Sequence, residues 1–198
     1  MRRSSSLETV QRRVEESVRC QQRLLQDGRP ETIARIAEQI VTSFRGGGKL
    51  LLFGNGGSAA DAQHIAAEFA GRYRRERAAL PALSLGSNTS ALTAISNDYG
   101  YDEVFSRQIE GFGREGDVAL GISTSGNSEN VVRGIEVART QGLSTVALTG
   151  AGDNRLGAVA DLCVAVPSTE TARVQESHIL VAHIICELVE AELFPGAS

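Results

Sequence analysis

Two groups of residues have types and spacings that suit chemistry. His64 and Glu68 stand four apart, and Gln175, His178 and His183 follow one another near the other end of the chain. The chain has no further histidine. On a helix, residues four apart share a face about one turn, ~6 Å, from each other. His64 and Glu68 so placed form an acid/base pair, two ligands of one metal, or a surface pair worth roughly a few tenths of a kcal/mol. His178 and His183 would point about 140° apart on one helix, so they do not serve one pocket together. His183 stands among Val181, Ile184 and Ile185, with Glu187 one turn on. It reads either as a site residue or as a satisfied core histidine.

Two glycine- and hydroxyl-rich stretches accompany these residues. The first is Gly54-Asn55-Gly56-Gly57-Ser58-Ala59, and the second is Ser123-Thr124-Ser125-Gly126-Asn127-Ser128. Each follows an apolar run and leads into a helical pattern. Glycine lets backbone approach a ligand, and free N–H groups at a helix start favour an anion. Serine and threonine hydroxyls can complete the hydrogen bonds of a phosphate, so the second stretch is the preferred phosphate cradle. Each stretch taken alone is also compatible with an ordinary turn ending in a serine N-cap. Gly54, Gly56 and Ala59 fit the dinucleotide-binding spacing, but the next apolar run ends Leu85-Gly86-Ser87, without the acid that would hold a ribose. Gly48-Lys49-Leu50 fails the P-loop pattern. No nucleotide cofactor is expected.

The elements that must position these residues can be read from periodicity. Residues 1–6 are polar and read as frayed. Leu7, Val10, Val14, Val18 and Leu25 mark an amphipathic helix. Pro30 suits the start of a second helix, with Ile33, Ile36, Ile40 and Phe44 on one face, ended by Gly46-Gly47-Gly48. Apolar runs at 49–53, 82–85, 117–123, 144–149 and 161–166 then alternate with helical patterns at 58–71, 87–96, 101–111, 128–141 and 154–159. A last helix is expected over 171–193. Strands that alternate with helices and are apolar on both faces imply a parallel sheet covered by helices. Residues 1–198 are therefore expected to form one α/β domain, with 7–46 a helical extension whose apolar stripe packs on another subunit or on its own domain.

Composition limits the function classes. Of 198 residues, 20 are Lys or Arg and 24 are Asp or Glu, a formal net charge of −4. That balance argues against a nucleic-acid binder working by bulk positive charge. No stretch approaches the ~20 apolar residues of a membrane span. Cys20, Cys163 and Cys186 are odd in number and scattered, and no signal-peptide pattern opens the chain. A cytoplasmic protein with reduced thiols is expected, with no membrane and no nucleic-acid partner.

The segment from Gly54 to Glu68 resembles the signature of the phosphoheptose isomerases, which are sugar-isomerase (SIS) domain proteins. Asn97-Asp98-Tyr99-Gly100, Gly121 to Ser128, and Gln175-Glu176-Ser177-His178 with His183 match that family too, in the same order. The resemblance spans nearly the whole chain. It implies a three-layer αβα sandwich on a five-stranded parallel, flavodoxin-like sheet plus N-terminal helices. It implies a homotetramer with active sites between subunits. The activity implied interconverts sedoheptulose 7-phosphate and D-glycero-D-manno-heptose 7-phosphate through an enediol(ate). This would be the first step of heptose precursor synthesis, as for lipopolysaccharide. By the same resemblance, Glu68 and His183 are the catalytic pair. Asn55, Gly56, Gly57, Ser58, Glu68, Asn97, Asp98, Ser123, Thr124, Ser125, Ser128 and Gln175 contact the sugar phosphate. His64, Glu68, Gln175 and His183 are the zinc positions, one ion per subunit.

Two alternatives remain within this fold. One is a non-catalytic SIS-domain protein that binds a replication initiator, a class that lacks the residues equivalent to Glu68 and His183. The other is a different sugar-phosphate aldose–ketose isomerase. Geometry adds one expectation. Gln175 and His183 are eight residues apart, about 12 Å along a helix, too far for one metal at ~2.1 Å from each. They are therefore expected to reach a given site from two different chains, related by a two-fold axis near Ile179.

Overall fold

A computed structural model describes residues 3–196. Two helices precede the sheet, α1 (Arg3–Arg23) and α2 (Arg29–Arg45). Helix already runs through residues 3–6, which corrects the expectation of fraying there. Met1 and Arg2 lie outside the described residues. Pro30 occupies the first turn of α2, where its missing N–H costs nothing.

The sheet comprises β1 (Leu50–Gly54), β2 (Ala82–Ser84), β3 (Val118–Ser123), β4 (Ser144–Thr149) and β5 (Leu162–Ala165). All neighbours are parallel, in the order β2-β1-β3-β4-β5. The other helices are α3 (Gly57–Ala70), α4 (Thr89–Tyr99), α5 (Ser106–Phe112), α6 (Glu129–Thr140), α7 (Arg155–Val159) and α8 (Thr171–Leu193).

Side chains alternate across each strand, and the sheet divides two cores accordingly. Leu50, Leu52, Leu120, Ile122 and Leu148 pack with residues of α2, α3 and α8 on one face. Leu51, Phe53, Ala119 and Ala147 pack with residues of α5, α6 and α7 on the other. This is the expected three-layer sandwich. Its inner strands are apolar on both faces because helices cover both.

The helix expected over 101–111 is interrupted. A single 3-10 turn spans Tyr101–Glu103, and α5 starts only at Ser106. The Ser106 hydroxyl bonds back to the carbonyl and the carboxylate of Glu103, which satisfies the turn locally. Val104 and Phe105, both fully buried, sit at the break.

The strand order reverses at β1/β3, so a crevice opens between the loops that leave those two strands. Both glycine- and serine-rich stretches are those loops. Leu7, Val10, Val14 and Val18 of α1 stay exposed within one chain. No helix among the described residues is long and apolar enough to cross a membrane.

Candidate active site

The loop after β3 gathers hydroxyls. Ser123 Oγ lies 3.0 Å from Ser128 Oγ and 3.4 Å from Ser125 Oγ. Gly126 makes the reversal possible with φ of 64°, a conformation that side chains rarely adopt. Ser128 is the N-cap of α6 but makes no capping bond with its side chain, so its hydroxyl is left for the crevice. The Thr124 carbonyl accepts from Gly150 N at 3.1 Å, which ties this loop to the end of β4. Hydroxyls and a helix start converge here, an arrangement that suits an anion. The adjacent acid Glu129 is paired with Arg155 and Arg133, which hold its carboxyl down at about 2. Its charge is thereby answered locally rather than left facing an anion.

The loop after β1 is tied across the crevice. Asn55 exchanges amide hydrogen bonds with Asn130 at 2.8 and 3.0 Å, and its carbonyl also accepts from Tyr101 Oη at 2.9 Å. Gly57 begins α3, and a Cβ there would collide with the side-chain amide of Gln175 on α8. Ser58 is buried and packs against Gly54, so its hydroxyl turns away from solvent. Asn97 and Asp98 stand exposed on the last turn of α4, hydrogen-bonded to each other at 2.8 Å.

His64, Glu68 and His183 meet where α3 packs on α8. His64 Nε2 is 3.0 Å from Glu68 Oε1, and His183 Nε2 is 3.4 Å from His64 Nε2. One ligand atom from each of the three residues lies within 4.8 Å of the others. Donors bound tetrahedrally at ~2.1 Å stand about 3.4 Å apart, so nitrogen and oxygen donors so spaced fit a zinc-type ion with room for further ligands. Burial pushes the nearby Asp61 carboxyl up, with His64 opposing. Gln175, meanwhile, lies against Gly57, while His183 joins His64 and Glu68 further along both helices. A single chain thus keeps Gln175 and His183 at different ends of the α3/α8 seam.

His178 belongs to the interior. It is fully buried, its Nε2 is 3.1 Å from the Thr149 carbonyl, and burial lowers its pKa to about 4. The imidazole is neutral and donates that bond.

Several neighbours of these residues could not be read from the sequence. Tyr73 stacks on His183 with ring centroids 5.6 Å apart and planes 26° apart. Glu190 and Arg77 form a buried ion pair at 3.0 Å. Asn130 and Tyr101 hold Asn55. Glu190 carries a usable signal: it is an acid on the same helix stripe as Val181, Ala182, Ile185, Cys186 and Val189, all buried. A charge in such a stripe demands a partner.

Comparison with known proteins narrows the class. A family model described as SIS domain matches residues 14–150. The chain is 56% identical over 181 residues to the phosphoheptose isomerase of Roseiflexus sp. (strain RS-1), covering 91% of each chain. It is 47% identical over 189 residues to that of Aneurinibacillus thermoaerophilus, covering 93% of this chain and 94% of the other. Among solved structures, a phosphoheptose isomerase from Neisseria gonorrhoeae superposes with a TM-score of 0.88 at 42% identity, covering 93% of this chain and 98% of that one. Sheet order, strand-end loops and family model define a SIS-domain protein with an enzyme's complement of side chains. Within that class, the chain belongs to the phosphoheptose isomerase family.

Proposed function

We propose that this enzyme interconverts sedoheptulose 7-phosphate and D-glycero-D-manno-heptose 7-phosphate, opening a route to heptose precursors such as those of lipopolysaccharide. The observation that carries the reading is the meeting of Glu68, His64 and His183 on a half-exposed seam. Moving a proton between adjacent carbons through an enediolate needs a base, a proton donor and charge stabilisation. Glu68 takes the carbon-bound proton, and His183 serves the neighbouring carbon or its oxygen. The hydroxyls of Ser123, Ser125 and Ser128 receive the phosphate, with Asn55, Gly56, Gly57, Ser58 and Thr124 shaping its surroundings, and Asn97 and Asp98 approach the sugar from α4.

His64, Glu68 and His183 would hold a zinc ion, joined by Gln175 from a second chain. When bound, the ion supplies Lewis-acid polarisation of a carbonyl or hydroxyl. A carboxylate engaged by a metal is a weaker base, so Glu68 must keep an oxygen free for the proton.

The site is composite. From Gly57, beside the loop after β1, to Glu68, α3 advances about 16 Å. A phosphate cradled by one chain is therefore served by the Glu68 and His183 of its neighbour. The exposed Leu7, Val10, Val14 and Val18 stripe supports subunit packing, and a tetramer is the assembly we infer. The cell compartment we infer is the cytoplasm, where Cys20, Cys163 and Cys186 remain thiols; all three are unpaired here.

The test is direct. Purified protein with sedoheptulose 7-phosphate should yield the aldose by NMR, and Glu68→Gln and His183→Ala should each abolish it while staying folded. Absence of turnover by the wild type, with and without zinc, overturns the reading in favour of a binding protein. Mixing Glu68→Gln subunits with subunits that lack all three hydroxyls (Ser123→Ala, Ser125→Ala and Ser128→Ala together), each inactive alone, should restore part of the lost activity if two chains share a site. No complementation would place all the groups on one chain.

A further inference from the structure

We propose that Tyr73 is a positioning residue for His183, and that the buried Glu190–Arg77 pair is the mount that holds it. The proposal rests on His183 being a reacting group.

A histidine that exchanges protons in a site is usually oriented by a hydrogen bond on its second ring nitrogen. Among the described residues, none bonds His183 Nδ1. Its hydrogen-bond contact is Nε2 to His64, at 3.4 Å. A flat wall takes the place of that bond: the Tyr73 ring lies nearly parallel to the imidazole, 5.6 Å between centroids. The Arg74 guanidinium also lies over the Tyr73 ring, 5.4 Å from its centroid. Arg74 in turn reaches Glu187, one turn beyond His183, at 2.9 Å. Rotation of the imidazole out of the site meets the phenol ring.

Tyr73 sits on the connection between α3 and β2, so something must fix that connection. Glu190, two turns beyond His183 on α8, accepts the main-chain N–H groups of Tyr73, Arg74 and Arg75 at 3.1, 2.8 and 2.9 Å, and Arg77 Nε at 3.0 Å. Arg77 spends its remaining donors on the carbonyls of Glu68 and Phe69, both at 2.8 Å, and of Gly71 and Ala78, both at 3.0 Å. Both side chains of the pair are almost wholly buried. A buried ion pair adds little net stability over apolar packing, so its geometry is the informative part. One pair grips the main chain of Tyr73, which faces His183, and the main chain of Glu68. It sets the two reacting groups against each other through α3, α8 and the connection.

Tyr73→Phe keeps the wall, and Tyr73→Ala removes it. Steady-state kinetics on sedoheptulose 7-phosphate should find Tyr73→Phe within about twofold of wild type. Tyr73→Ala should lose about 10- to 100-fold in kcat with KM changed less than about threefold. A kcat for Tyr73→Ala within twofold of wild type overturns the proposal. So does a loss that falls in KM alone, or one shared equally by Tyr73→Phe. A second readout does not depend on turnover: the His183 ring protons, followed by NMR in protein freed of metal by chelator. They should carry a ring-current shift that Tyr73→Phe keeps and Tyr73→Ala loses. Identical shifts in all three proteins overturn the positioning role. If the wild type shows no turnover but the ring-current pattern holds, the catalytic reading fails and the stacking stands.

Discussion

Glu68 and Glu190 both lie along the seam of α3 and α8, yet their surroundings differ. Glu190 is buried and takes four donors, three of them main-chain N–H groups. Burial alone would raise its pKa, but those bonds and Arg77 outweigh it and hold the carboxyl below the usual glutamate range. Glu68 is only partly buried, and among the described residues its carboxylate hydrogen-bonds one side chain, His64, with His183 close by. A saturated carboxylate has no lone pair to spare and serves as a mount. An undersatisfied one can still take a proton or a ligand. The two histidines of α8 repeat the contrast, with His178 spent on a main-chain carbonyl and His183 half-exposed beside His64.

The sharpest way to break this contrast is to exchange the consequences. Glu68→Gln should reduce kcat by about 10²- to 10⁴-fold with the melting temperature nearly unchanged, by parallel kinetics and calorimetry. A fully active Glu68→Gln protein would remove the distinction.

Glu190→Ala should do the reverse and act first on the fold. Removing one partner of a buried pair leaves Arg77 uncompensated, at a cost of about 3–5 kcal/mol in denaturant unfolding. A loss below about 1 kcal/mol would mean that the pair is not the mount described.

Acid should find His178 before it finds Glu190. The folded pKa of His178, about 4, lies below its unfolded value of about 6.5. Its contribution is therefore present above pH 6.5 and is lost as the pH falls toward 4. That window should remove of the order of 3 kcal/mol of stability. The Glu190 contribution, from a lowered pKa, should follow below the ordinary glutamate value of about 4.3. Stability measured against pH should show the first decline, and His178→Gln should flatten it. A flat wild-type curve from pH 6.5 to 4.5 would contradict the buried neutral imidazole.

The smallest expected effect lies at the cradle. Ser125→Ala removes one hydroxyl from a group of three and should raise KM roughly tenfold, the worth of one hydrogen bond to a charged group, with stability unchanged. Equal effects on kcat and KM would place Ser125 nearer the reacting carbons than the phosphate.

Much of the architecture is written locally. Apolar runs such as Leu50 to Phe53, alternating with helical patterns, suit inner strands of a covered sheet, and β4 and α8 begin and end where the sequence places them. Period-2 and period-3.6 patterns report local geometry faithfully. The interruption at Val104 and Phe105 was not legible, because a serine bonding back to Glu103 looks no different in sequence from a helical serine. Tyr73, Arg77 and Glu190 were illegible for a different reason. Glu190 stands more than a hundred positions from the main chain that it grips, and no local periodicity encodes such a pairing.

Taken alone, the sequence determined the residue types in the two loops, the four-residue spacing of His64 and Glu68, and the opposed directions of His178 and His183. Each is a matter of covalent order and helical pitch. The resemblance already named His183 as the partner of that pair; the tertiary structure brings its ring to His64 and spends His178 on a main-chain carbonyl, and it alone sets Gln175 beside Gly57. It alone brought a tyrosine from the α3–β2 connection to face the imidazole. Those outcomes depend on how α3 packs against α8 across the sheet face, which is set by the summed burial of both cores and not by any one segment.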